Sequence, residues 1–302
     1  MSLDALALGA TLYLPATRSD LATTLFGNRI SGLRSAVICL EDAVSDADLP
    51  AALHNVAALL RTLPARRDQS PLLFVRPRDP AMLARILLMP GAERLTGFVL
   101  PKINADNFPT WLALPLLPEH RLMPTLETRE MFDPAEVRRL REQLLAVQER
   151  ILVLRIGGND LLQALGCRRS STRTAYEGPL GSLIAALVGA FAPWGFALSA
   201  PVLERFDDPA LLRAEVARDI EHGLFTKTVI HPAQVAIVHA ALAVASAEFA
   251  QARAILAADA PAVFARGGAM CEPATHHRWA QALIRRAALF GVADSLPLAR
   301  QA

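Results

Sequence analysis

RLMPTLETREMFDPAEVRRLREQLLAVQERILVLRIGGND, residues 121–160, contains one complete unit of the fold. RLMPTLET (121–128) is a short apolar run that ends on an acid, Glu127. Asp133-Pro134 then opens a helical stretch over 133–150, Asp being a good N-cap and Pro fitting the first helical position. ILVLRIGG (151–158) is a second apolar run, with Asp160 just beyond it. Strand, helix, strand is the pattern of two parallel strands joined by a crossover.

The same rhythm runs outward in both directions. Apolar runs recur at 10–15 (ATLYLP), 36–42 (AVICLED), 72–77 (LLFVRP), 97–103 (GFVLPKI), 196–202 (FALSAPV) and 226–232 (TKTVIHP), with helical stretches such as 48–63 between them. Eight strand candidates, each followed by a helix, predict an α/β fold, a (β/α)8 TIM barrel. A doubly wound open sheet is the rival, but no Gly-rich phosphate loop follows the first run. After His231 the pattern changes. Residues 234–258 read as one Ala-rich helix, 261–270 as a turn or short hairpin and 273–290 as a further helix. The expected organisation is therefore a barrel over 1–240 and a C-terminal helical segment over 241–302.

Composition agrees with a packed globular chain. Of 302 residues, 53% are hydrophobic and 6% aromatic, so the core is aliphatic and disorder is excluded. The net charge of +2, without a basic run interleaved with aromatics, leaves nucleic acid no footprint. Cys39, Cys167 and Cys271 are few, odd in number and far apart, which argues against a disulfide framework and fits a reducing cytoplasm. The N-terminus lacks a basic n-region and does not read as a signal peptide. Residues 178–203 carry no charge until the segment ends, but Pro193, Gly195 and Pro201 break them into helix, turn and strand, so no membrane span is expected.

Polar residues cluster at the strand ends. Glu41, Asp42, Arg76, Lys102, Glu127, Asp160 and His231 all stand there, and in a barrel those positions ring one mouth. Neighbouring strands lie about 4.8 Å apart, so Glu127 and Asp160 can reach one cation, and Mg2+ accepts such a sparse carboxylate set. Either acid could instead simply pair with an arginine. Arg76 offers a planar fork to a carboxylate or an enolate, or pairs with Glu41 or Asp42. In an extended segment those two acids face opposite ways, and they suit an indirect role, through a metal-bound water or Arg76. Lys102 is an anion anchor or a Schiff-base nucleophile; the nearby acids favour a protonated anchor. His231 reads as a structural or rim residue.

The ordered set LYLPATR (12–18), LEDAV (40–44), VRP (75–77), LPKI (100–103), LETREMF (126–132), GGNDL (157–161) and IHPAQ (230–234) resembles the citrate lyase beta-subunit and HpcH/HpaI aldolase superfamily. The likeness runs through 10–240 and more faintly to about 290. It implies Mg2+ on Glu127 and Asp160, and substrate on Arg76, with Arg18, Lys102 and Glu127 beside it. It also implies making or breaking a carbon–carbon bond in a 2-oxo or 2-hydroxy acid, free or as an acyl-coenzyme A. GGAMCEP (267–273) resembles the family's lid loop, which closes over a neighbouring subunit's site, with Glu272 in the place of its Asp as a proton donor; the alternative is an exposed acid at a helix N-terminus before Pro273. A homo-oligomer, trimer or hexamer, follows from the lid reading. The chain departs from the family pattern at Cys39, Arg78 and the SAPVLE segment, on the thioester side more than the metal side, so the use of coenzyme A stays open. An acyl-thioester hydrolase and a non-catalytic binding homologue are the alternative readings.

Overall fold

The computed structural model describes residues 3–64 and 71–294. Eight parallel strands form the barrel: β1 (Ala10–Pro15), β2 (Ser35–Cys39), β3 (Leu72–Arg76), β4 (Gly97–Leu100), β5 (Arg121–Leu126), β6 (Leu154–Ile156), β7 (Leu198–Ser199) and β8 (Lys227–Val229). From β1 to β7 each pairs with the next in sequence, and β1 also pairs with β8, Ala10 lying opposite Lys227. Between β7 and β8 the ring is joined by a single bridge, Ala200 to Lys227, with Ala200 N–H donating to Thr226 O at 2.8 Å. The eight-stranded barrel expected from the repeats is the observed architecture.

The outer layer is helical: α1 (Leu21–Phe26), α2 (Leu49–Thr62), α3 (Pro80–Leu87), α4 (Phe108–Leu112), α5 (Pro134–Leu145), α6 (Gly158–Ala164), α7 (Pro179–Phe191), α8 (Pro209–Glu221) and α9 (Pro232–Ala241). Asp133 caps α5 by accepting from Ala135 N–H at 2.8 Å, with Pro134 at the first position. The uncharged stretch divides where its breakers stand: α7 ends at Phe191, Gly195 adopts φ 89° and β7 follows. Among the described residues no helix is long and apolar enough to cross a membrane.

Alternate strand residues face the lumen, which sorts them by depth. Val37, Phe74, Val99, Met123 and Val153 pack the lower lumen as an apolar plug. Above it the lumen turns polar. Outside the barrel, Lys227 is fully buried and donates to Glu215 Oε1 and Asp219 Oδ2, both at 2.9 Å. Tyr176 and Arg169 complete that cluster, which pins α8 to β8 at the seam. These groups do not reach the mouth, and their role is structural.

Past α9 the chain departs from the expected single helix over 234–258. It breaks at 242–245, where Val244 is buried and β9 (Val244–Ala245) pairs with β12 (Val292–Ala293). That pairing turns the chain before α10 (Ser246–Ile255), a tertiary contact that Ala-rich helix propensity cannot signal. A hairpin of β10 (Phe264–Arg266) and β11 (Ala269–Cys271) follows, then α11 (Pro273–Phe290). Gly267 and Gly268 both have positive φ, as a two-residue hairpin turn requires. Val244, Ala252, Ile255, Cys271, Leu283 and Ala287 give this region its own small core.

Candidate active site

The upper lumen opens into a cavity of about 400 Å3, lined among others by Tyr13, Arg76, Thr125, Glu127, Arg155 and Asp160. Glu127 follows β5 and is 4% exposed. Its Oε1 accepts from Lys102 N–H at 2.8 Å. On the other side Gly157 makes room: a Cβ there would lie 2.3 Å from Glu127 Oε2. Burial pushes Glu127 up to about 7, Arg76 opposing and Asp160 adding to the rise. Asp160, in the first turn of α6, lies 3.8 Å from Lys102 Nζ and is also raised by burial.

Lys102 takes φ 50°, a left-handed conformation uncommon for a residue with a side chain. That is why β4 stops at Leu100 rather than running to 103. The turn points the backbone N–H at Glu127 and the ammonium at the acids of β2. Lys102 Nζ donates to Glu41 Oε1 at 2.5 Å and to Asp42 Oδ1 at 3.3 Å. Burial opposes the charge, but these acids outweigh it and hold the ammonium above the ordinary lysine range. Lys102 is thus a cation at the rim, not a free amine.

Arg76 Nη2 pairs with Glu41 Oε2 at 2.7 Å and Asp42 Oδ2 at 2.9 Å, while Nε donates to Cys39 Sγ at 3.3 Å. Nη1 bonds to no described residue and remains for a ligand. Glu41 and Asp42 do not face opposite ways as an extended segment requires. The chain turns at Glu41, with Val44 N–H donating to Glu41 O at 3.0 Å, so both carboxylates converge on Arg76. Arg78 braces this turn by donating to Leu40 O at 2.9 Å.

The structure does not bring every expected residue to the cavity. Arg18 is exposed and forks onto Asp20 at 2.9 and 2.8 Å. His231 is the N-cap of α9, accepting from Ala233 N–H at 3.2 Å, and stacks on Phe206 outside the cavity. Glu272 precedes α11 in the C-terminal segment and accepts from Thr275 Oγ1 at 3.0 Å. Lining residues that escaped the sequence reading include Tyr13, Thr125, Arg155 and Thr228. Arg155 had a visible signal, a lone charge within the apolar run ILVLRIGG.

The donor set suits a hard cation. Glu41, Asp42, Glu127 and Asp160 bring four carboxyl groups to the mouth beside Arg76 and Lys102. Among the described residues no three His, Cys, Asp or Glu side chains converge to hold an ion by themselves. An ion at Glu127 and Asp160 would therefore take water and substrate oxygens for its other positions, as Mg2+ does.

A family model described as C-C bond lyase of the TIM-barrel fold matches residues 2–292. A (3S)-malyl-CoA thioesterase of Cereibacter sphaeroides is 31% identical over 154 residues, covering 50% of this chain and 49% of that protein. The chain thus spans about half the length of the curated relatives it matches. Among solved structures, the CitE protein of Mycobacterium tuberculosis in complex with magnesium, acetoacetate and coenzyme A superposes with TM-score 0.69. It is 24% identical, over 94% of this chain and 99% of that one. A citrate lyase of Burkholderia xenovorans LB400 superposes with TM-score 0.73 at 19% identity, over 95% of this chain and 94% of that one.

Proposed function

This chain belongs to the C-C bond lyase family of the TIM-barrel fold, and from that premise we propose that it is a Mg2+-dependent lyase cleaving or forming a carbon–carbon bond in a 2-oxo or 2-hydroxy acid. The observation that carries the reading is the pair Glu127, just past β5, and Asp160, in the first turn of the helix after the adjacent β6, lining one cavity. The magnesium in the M. tuberculosis CitE complex supports it.

Glu127 and Asp160 would hold Mg2+, which would supply Lewis-acid chemistry and help to orient the substrate. In the cleavage direction the substrate hydroxyl loses a proton and becomes the oxo group of one product. The electron pair of the broken carbon–carbon bond passes to the other product as an enolate, which then takes up a proton. Arg76 Nη1 faces the cavity and stabilises that charge, its other nitrogens fixed by Glu41, Asp42 and Cys39. Lys102 N–H fixes the Glu127 carboxylate, and Lys102 Nζ holds Glu41. Arg18, at the exposed end of the β1–α1 loop, would meet only the outer part of a longer substrate. Glu272 acts on a partner's site in a homo-oligomer, a trimer or hexamer, as the proton donor to the enolate. Closure would also exclude water.

The similarity to a malyl-CoA thioesterase favours a second reading, acyl-thioester hydrolysis. Product analysis separates the two with malyl- or citramalyl-coenzyme A. A lyase releases a 2-oxo acid and a shorter acyl-thioester; a hydrolase releases free thiol and the intact hydroxy acid. Mg2+-dependent release of a 2-oxo acid is expected. Free thiol without a 2-oxo acid would establish the hydrolase, and no turnover of thioesters or free acids a binding homologue.

A further inference from the structure

Arg155 is a cation at the floor of the cavity that no described carboxylate neutralises. It sits in β6, faces the lumen and is 2% exposed. Nη2 donates to Thr228 Oγ1 at 2.5 Å, and Nη1 makes only a long contact to Met123 Sδ at 3.8 Å. Its guanidinium carbon lies 5.2 Å from the Tyr13 ring centroid, and that of Arg76 lies 5.6 Å from the same ring. Glu127 is beyond ion-pair distance, and among the described residues Arg155 has no salt bridge. Burial lowers its affinity for the proton and the nearby Arg76 charge adds to this, with Tyr13 and Glu127 opposing. Such a charge is costly to bury without a counter-ion.

A second orphan stands beside it. Thr125 is the neighbour of Arg155 across the β5–β6 pair. It lines the same cavity, and its buried Oγ1 has no hydrogen-bond partner among the described residues. A donor in need of an anion and a hydroxyl in need of any partner therefore face one space, deeper than Glu127. Thr125 is two residues before Glu127 on the same strand face, so the floor lies one layer below the proposed metal acids.

We infer that Arg155, with Thr125, binds a second carboxylate of the substrate, so that the preferred ligand is a 2-oxo or 2-hydroxy dicarboxylic acid rather than a monocarboxylic one. The inference rests on the Mg2+ reading of Glu127 and Asp160, where the first carboxylate and the 2-oxygen would sit. Tyr13 spaces the two guanidinium groups, so that Arg76 serves the reacting end and Arg155 the distal end. A charge-assisted bond to a fully desolvated arginine gives a preference of about tenfold or more.

The test uses malate and lactate, which differ by the second carboxylate alone, with 2-hydroxyglutarate as a longer probe. Calorimetry on the full chain measures each with and without Mg2+, for wild type, Arg155→Gln and Thr228→Val. The expected result is a dicarboxylate bound at least about tenfold tighter than lactate by wild type, with the ratio falling towards one in Arg155→Gln. Thr228→Val loosens the guanidinium and is expected to lower the ratio in part. It decides the matter should Arg155→Gln fail to fold. Wild type that binds all three acids alike, or none of them, overturns the inference. So does a ratio left unchanged by the folded variants. Failure of the Mg2+ reading shows separately: a dicarboxylate preference that depends on Arg155 but not on Mg2+ would keep the floor and remove the metal.

Discussion

The main-chain N–H of Lys102 donates to Glu127 Oε1 at 2.8 Å, across the gap between β4 and β5. A left-handed residue thus positions the most buried acid of the mouth. The same residue sends its ammonium to within 3.8 Å of Asp160, where it competes with any cation for that carboxylate.

Lys102→Gly separates these two effects. Glycine accepts the left-handed backbone at no steric cost, so the bond to Glu127 persists while the positive charge is lost. Mg2+ affinity is expected to rise several-fold, to about tenfold, because a like charge leaves the site. Weaker binding in calorimetry would show that the ammonium positions Asp160 rather than opposing the ion.

Glu127→Ala and Asp160→Ala are each expected to weaken Mg2+ binding by more than the roughly 10–100-fold that outer partners of a metal cost. Both acids face the cavity rather than the packed helices, so the far-ultraviolet circular dichroism should be unchanged. Retained affinity in both variants would remove the metal assignment.

Metal-free stability should depend on Glu127 in a defined direction. Its carboxyl titrates near 4.5 in an unfolded chain and is pushed up to about 7 by burial. Between those values the folded chain keeps a proton that the unfolded chain releases. The stability contribution is therefore full below about pH 4.5 and is lost as pH rises through 7, about 3 kcal/mol in all. Glu127→Gln should flatten that part of the curve. Mg2+ needs the ionised carboxylate, so the Mg2+-induced rise in Tm should be larger at pH 8 than at pH 6. An equal rise at both would mean that Glu127 is already ionised at pH 6.

Arg76→Lys keeps a charge but cannot hold Glu41, Asp42 and Cys39 while offering a nitrogen to the cavity. A loss in kcat/KM on the order of a hundredfold or more is expected. Near-normal kinetics would leave Arg76 an ion-pair partner only.

Glu272 lies outside the cavity of its own chain, so its proposed role needs a neighbour. Mixed Glu272→Ala and Asp160→Ala subunits should regain activity through hybrid sites. Mass spectrometry would confirm the exchange. Inactive mixtures would show that Glu272 does not act across an interface.

Much of the barrel was legible because strand, turn and helix each leave a local mark, and Glu127 and Asp160 stood where β/α loops begin. What escaped reading depended on contacts between distant segments. Arg155 was visible as a charge in an apolar run, but only ring closure decides which strand face is the lumen. The turn at Glu41 has no Gly or Pro to announce it, and Arg78, far along the chain, helps to hold it. The break at 242–245 arises from pairing with 292–293, nearly fifty residues later.

Ring closure also sets an order of assembly. Ala10 pairs with Lys227, and Arg155 bonds to Thr228, so β8 completes both the ring and the cavity floor. During synthesis at about 5–20 residues per second, β1 would wait on the order of ten to forty seconds for its second neighbour. Glu127 and Asp160 leave the ribosome well before then, and a nascent chain halted after β7 could set these two acids side by side. It could not anchor Arg155. An emerging chain would thus gain its ion-binding acids before its means of choosing among acids, and Glu272 would follow only after both.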